Sequence, residues 1–193
     1  MTYLDIINSV LRRLREETAV SVTETDYVSM VGDFVNDAKR IVEDSYQWEA
    51  LRQTTIFNTA SGTDTYTLTD MGNRAKLISV YDQTSKYELR ALPRTKIRSE
   101  KLANPAETGT PRYYGFNGLD SNGDTNLQLH VTPDGVYSMN VLAVVPQADL
   151  SVATDAVLAP SSPIIHLALA MLARERGETG GTSTAEYFQM ADK

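Results

Sequence analysis

Residues 54–70 read TTIFNTASGTDTYTLTD, and the fold turns on them. Threonine and aromatic side chains dominate, types that suit a pleated, half-buried surface. Ser61-Gly62 in the middle supplies a turn, so the stretch reads as two strands and a reversal that begin where a helical period stops, at Arg52. Further short runs follow at Lys76 to Tyr81, Tyr87 to Leu92, Arg112 to Phe116, Asn126 to Val131 and Tyr137 to Val145. Asn122-Gly123 and Pro133-Asp134-Gly135 separate them, each with its own mechanism for reversing the chain. Arg94 to Leu102 reads as a short helix between strands. Many short strands with no alternating helices predict an antiparallel sandwich or open barrel and argue against a Rossmann-like sheet.

Outward from this block the period becomes helical on both sides. Leu4, Ile7, Val10, Leu11 and Leu14 recur at spacings of three and four, and Thr2 with Asp5 has capping-box spacing. After the Thr/Ser/Val-rich break at 20–26, a second helix is expected from about Asp26 to Trp48. Its seam is Tyr27, Val31, Phe34, Ala38, Ile41, Ser45 and Trp48, widened by Val28, Val35 and Val42. Beyond the strands, Ser162-Pro163 reads as a cap and first helical residue, Ile164 to Leu172 is apolar around most of the circumference, and Gly177 closes the helix. Ser183 and Glu186 have the spacing of another capping box, for a last short helix. The expected class is α+β: residues 1–52 and 155–193 form one helical bundle, and 53–154 an inserted antiparallel β-sandwich or barrel domain.

Composition bounds the function. The chain has 193 residues, 41% hydrophobic and 22% charged, which is globular composition. It has no cysteine, so disulfide frameworks, thiolate metal sites and a cysteine nucleophile are excluded. Lys+Arg 18 against Asp+Glu 25 gives a net charge of -7, which disfavours a non-specific grip on phosphate backbones. The start, MTYLDIINSVLRRLREE, lacks the basic-then-apolar pattern of a signal peptide. The run from Ile164 to Ala173 spans about half of the roughly 20 residues a membrane crossing needs, so a soluble protein is expected.

The catalytic inventory is thin. His130 and His166 are the only histidines, and neither has a second ligand at metal spacing, so both read as structural. HExxH, Walker A, GxGxxG and GxSxG patterns are all missing from the sequence. Glu16-Glu17 and Glu43-Asp44 are adjacent pairs on helices, pointing about 100° apart, and read as solvated faces. Asp120, Asn122 and Asp124 imitate the start of a calcium loop, but the glycine is misplaced and Val131 stands where a bidentate glutamate belongs, leaving a polar hairpin tip. No enzyme, metal or cofactor is expected. One charge feature runs against the overall acidity: Lys86, Arg90, Arg94, Lys96, Arg98 and Lys101 lie close together, with Arg94, Arg98 and Lys101 on one helical face. That face suits an acidic partner or passing nucleic acid, or is simply solvated, since no aromatic stacking platform interleaves it.

The order of features resembles the head-to-tail adaptor proteins of short-tailed phages, also called tail tubular protein A, connector or head-completion proteins. The resemblance rests on YLDIINSVLRRL, on a long helix closing in Tyr46-Gln47-Trp48, on Tyr66 to Asp70 and Gly109-Thr110-Pro111-Arg112-Tyr113-Tyr114. It continues through Leu127-Gln128-Leu129, Asp155 to Pro160 and the alanine-rich helix ending Arg174-Glu175-Arg176-Gly177-Glu178. It implies a structural virion protein of the neck, assembled in the host cytoplasm, as a dodecameric ring beneath the portal with the tail nozzle or tube below. The helical bundle would form the ring and meet the portal, the β domain would face the tail, and double-stranded DNA would pass through without specific binding. Within this picture Tyr187, Phe188, Met190 and Lys193 are the expected portal contacts, their alternative being a cap on the bundle core. Arg90, Arg94, Arg98 and Lys101 are the expected subunit or tail interface. Two rival readings are a β-sandwich binding module on a helical base and a tail terminator or neck protein of a long-tailed phage.

Overall fold

The computed structural model describes residues 1–177 and 188–190. It is an α+β protein whose chain divides into two compact units, Met1–Leu51 with Pro146–Lys193, and Arg52–Val145. The second crossing falls at Pro146, so 146–154, expected with the strands, belongs with the helices.

The helical unit begins with α1 (Tyr3–Arg13). The Thr2 hydroxyl accepts from Asp5 N at 3.2 Å and the Asp5 carboxylate accepts from Thr2 N at 2.9 Å, the reciprocal cap expected from their spacing. Helix α2 (Asp26–Ser45) starts on Thr25, whose hydroxyl accepts from Val28 N at 3.1 Å. It ends three residues before Trp48, earlier than the periodicity suggests. Tyr46 turns extended, and the Trp48 indole N–H folds back to donate to Val42 O at 2.7 Å, occupying a carbonyl left without a helical partner. Its buried line is Val28, Val31, Val35, Ala38 and Val42, so the core face is centred on the valines rather than on the Tyr27–Phe34–Ile41 row. Helix α4 (Ser161–Glu175) buries Ile164, Ile165, Leu167 to Ala170, Leu172 and Ala173, as an all-round apolar helix must. It starts two residues before Pro163, at Ser161, which still leaves proline in the first turn where its missing N–H costs little. Gly177 follows with φ +75°, the left-handed residue that closes the helix. At that end Arg176 pairs with Glu16 at 2.8 Å and lies over the Tyr27 ring.

The β unit holds two four-stranded sheets and a small pair. β1 (Arg52–Asn58), β3 (Lys76–Asp82), β4 (Tyr87–Glu88) and β10 (Ser138–Val144) form an antiparallel sheet in the order β1-β10-β3-β4. β2 (Thr65–Leu68), β5 (Arg90–Ala91), β7 (Tyr113–Leu119) and β8 (Thr125–His130) form the second, β2-β8-β7-β5. β6 (Thr108–Gly109) pairs with β9 (Thr132–Pro133). The TTIFNTASGTDTYTLTD stretch is thus not a hairpin: its two strands enter different sheets, with Gly62 at φ +78° in the corner. Expectation of a purely antiparallel domain is corrected by two short parallel pairings, β5 with β7 and β6 with β9. Neither sheet closes into a barrel among the described residues. Both sheets feed one buried cluster: Val80, Met139 and Val141 from the first, Leu68, Leu127 and Leu129 from the second. Leu89, also buried there, is the point where one run of chain leaves the first sheet as β4 and joins the second as β5.

Candidate interaction surfaces

The basic segment is a helix, α3 (Arg94–Ala103), mounted on the second sheet by a single buried side chain, Ile97. The mount depends on a missing side chain. A Cβ at Gly115 of β7 would lie 2.6 Å from Ile97 Cδ1 and 2.7 Å from Leu92 O, so only glycine lets the helix approach. Backbone bonds complete the attachment: Arg90 N donates to Arg112 O at 3.1 Å and Leu92 N to Tyr114 O at 2.8 Å.

The four cations expected at an interface separate into two groups. Arg90, Arg94 and Arg98 are exposed. Lys101 instead pairs with the Asp64 carboxylate, and burial pushes its ammonium below the usual lysine range. Lys96, on another side of α3, pairs with Glu100 at 2.6 Å; that bond raises the lysine and lowers the glutamate.

Between α3 and the β6–β7 region lies a cavity of about 650 Å³ whose polar lining includes Lys96, Glu100, Glu107, Arg112, Tyr113 and His130. His130 is buried and stacked on Tyr113 with ring centroids 6.2 Å apart, which fits a structural histidine. Among the described residues no group of His, Asp and Glu is placed to hold a metal ion. At the hairpin tip, Asp120 Oδ1 accepts from Asn122 N and Asp124 N, both at 2.8 Å, while Asp124 Oδ1 accepts from Gly72 N at 2.9 Å. These carboxylates hold backbone turns.

Of the C-terminal residues expected to meet a portal, Phe188 packs partly buried against the helical core and Met190 is 50% exposed. Tyr187 and Lys193 lie outside the described residues, as do Ser183 and Glu186.

A buried ion pair escaped the reading of the sequence. Glu43, expected on a solvated face with Asp44, is fully buried against Lys39 at 3.2 Å, and neither side chain has measurable exposure. Lys39 Nζ also donates to Gln147 O at 2.7 Å and Ala148 O at 3.1 Å. Gln147 N donates to Glu43 Oε1 at 3.3 Å. One turn earlier, Asn36 donates to Leu150 O at 3.1 Å and accepts from Leu150 N at 2.9 Å. Asn36, Lys39 and Glu43 therefore anchor the segment that returns from the β unit, through its backbone. The only local clue was that Lys39 and Glu43 lie four apart beside Val35, Ala38 and Val42.

The surfaces are thus faces and termini, with neither a nucleophile–base pair nor a metal set among the described residues, and one family model, described as SU10 adaptor protein, matches residues 1–193. The chain belongs to the SU10 adaptor protein family. It is a phage adaptor, a structural component of the virion whose partners are other virion proteins. No curated protein matches it. Among the described residues no helix of this adaptor is long and apolar enough to cross a membrane.

Proposed function

We propose that this adaptor is the head-to-tail connector of a short-tailed phage, a ring of twelve copies between the portal and the tail nozzle or tube. Its role is structural, without catalysis or cofactor, and it lets the genome pass from capsid to tail. The observation that carries the reading is the family match over the entire length. The fold is compatible with it, read as a helical bundle with an inserted β-sandwich. The bundle is assigned to the ring and the portal, the β domain to the tail, with Tyr187, Phe188, Met190 and Lys193 at the portal and the α3 cations at a subunit or tail contact.

Charge supports passage without grip. The segments 1–51 and 146–193 carry 16 acidic and 8 basic residues, and a lumen lined by such a unit repels duplex phosphates. Electron microscopy of the protein mixed with the portal protein of the same genome tests the reading. A twelve-fold collar stacked on the portal is expected. Intact portal rings without any added density would refute it. Truncation after Gly181 separates the two roles of the C-terminal segment: docking predicts lost portal binding at an unchanged Tm, a core cap predicts a lowered Tm.

A further inference from the structure

The two units differ in charge. Against the 16 acidic and 8 basic residues of the helical unit, Arg52–Val145 carries 9 and 10. Like units on neighbouring copies repel, and unlike units attract.

Each unit also presents one helix face of matching pattern. On α2, Asp26, Asp33, Asp37 and Asp44 are exposed at spacings of seven, four and seven, a straight acidic line on the side away from the buried valines. Ile41 lies beside it and is 51% exposed, four residues after Asp37. On α3, Arg94 and Arg98 are exposed, followed four residues later by Leu102, 74% exposed. The two series share one order and one spacing: Asp33, Asp37, Ile41 and Arg94, Arg98, Leu102. Among the described residues Arg94 and Arg98 meet no carboxylate, whereas Asp37 lies 3.5 Å from Arg40, which is itself turned to Asp149.

We propose that α3 of one copy packs parallel to α2 of the next copy in the ring, with Arg94 on Asp33, Arg98 on Asp37 and Leu102 on Ile41. The contact rests on the ring reading and supplies its subunit interface. Rows at i, i+4 and i+8 are inclined to the helix axis, so two such rows run alongside each other when the axes, pointing the same way, cross at about 50°, and each row spans about 12 Å at 1.5 Å per residue. An antiparallel approach would set Leu102 on Asp33 and Arg94 on Ile41. The contact is heterologous, using a different face on each side, so it repeats from copy to copy, as the subunit contact of a ring must.

The cysteine-free sequence makes the test clean. Full-length Ile41→Cys and Leu102→Cys chains are mixed with the portal protein, oxidised, and examined by electron microscopy and by mass spectrometry of cross-linked peptides. A disulfide joining positions 41 and 102 of different chains is expected, because facing residues lie within disulfide reach. Arg94→Glu/Arg98→Glu should lower its yield by about tenfold or more, and Asp33→Arg/Asp37→Arg on the neighbouring chain should restore it. Rings without the 41–102 bond, or a yield indifferent to charge reversal, overturn the contact and leave the ring standing. The bond without portal-bound rings keeps the contact and removes the portal ring. Neither bond nor ring removes both.

Discussion

Replacing Lys39 by methionine should unfold the helical unit far more easily than its single position suggests. Lys39 Nζ meets Glu43 Oε1 at 3.2 Å, Gln147 O at 2.7 Å and Ala148 O at 3.1 Å, which matches an ammonium's three donors to three acceptors. Methionine fills similar space and has nearly the same helix propensity, so neither a large cavity nor a weaker helix enters the comparison. What is lost is the buried ion pair between Glu43 and this ammonium, together with the donor to two carbonyls. Breaking a buried pair from one side costs about 3–5 kcal/mol. For a chain of this size, that corresponds to a Tm lowered by roughly 6–20 °C. Urea unfolding followed by far-ultraviolet circular dichroism measures it. Glu43→Gln should cost less, about 1–3 kcal/mol, because Lys39 keeps both carbonyls. Arg40→Ala is the control on the same strap: its partner Asp149 is exposed, so solvent already screens that pair. If Lys39→Met stays within about 1 kcal/mol of the parent, the anchor is not what holds the returning segment.

Three further outcomes follow from particular contacts. Gly32→Ala should destabilise α2 although alanine is the better helix former by about 1 kcal/mol, because the new Cβ collides with the Tyr3 hydroxyl and lies 3.3 Å from its Cζ; in a Tyr3→Phe background, which removes the hydroxyl and keeps Cζ, the loss in thermal melts should shrink. Gly115→Ala should cost the β unit about 1–3 kcal/mol and expose 94–103 to limited proteolysis, since the Leu92 carbonyl at 2.7 Å is backbone and cannot rotate away. Burial, followed by the charges of Asp33, Asp149 and Asp155, pushes the Tyr3 phenol up to about 12. Its folded value lies above the unfolded value of about 10, so its contribution is intact below pH 10 and lost as pH rises from 10 to 12. Tyr3→Phe should flatten that alkaline limb of a stability–pH curve.

Features settled within a few residues were legible in the sequence. The Thr2–Asp5 cap, the left-handed Gly177 and the runs that become β3, β7, β8 and β10 each depend on a spacing, a backbone preference or an alternation that neighbours in sequence supply. Charge and the absence of catalytic motifs likewise needed no structure. Contacts between distant segments did not show. The burial of Lys39 and Glu43 comes from carbonyls more than a hundred residues away, and i,i+4 charge spacing looks the same on a wet face as on a dry one. Trp48 fitted the helical period, yet its indole N–H found a better partner in the Val42 carbonyl and the helix stopped. Strand runs were visible, but their partners were not: hydrogen bonding sent β1 and β2 to different sheets and divided 87–91 at Leu89. Periodicity says which side of a segment is apolar, and only the folded chain decides what covers it.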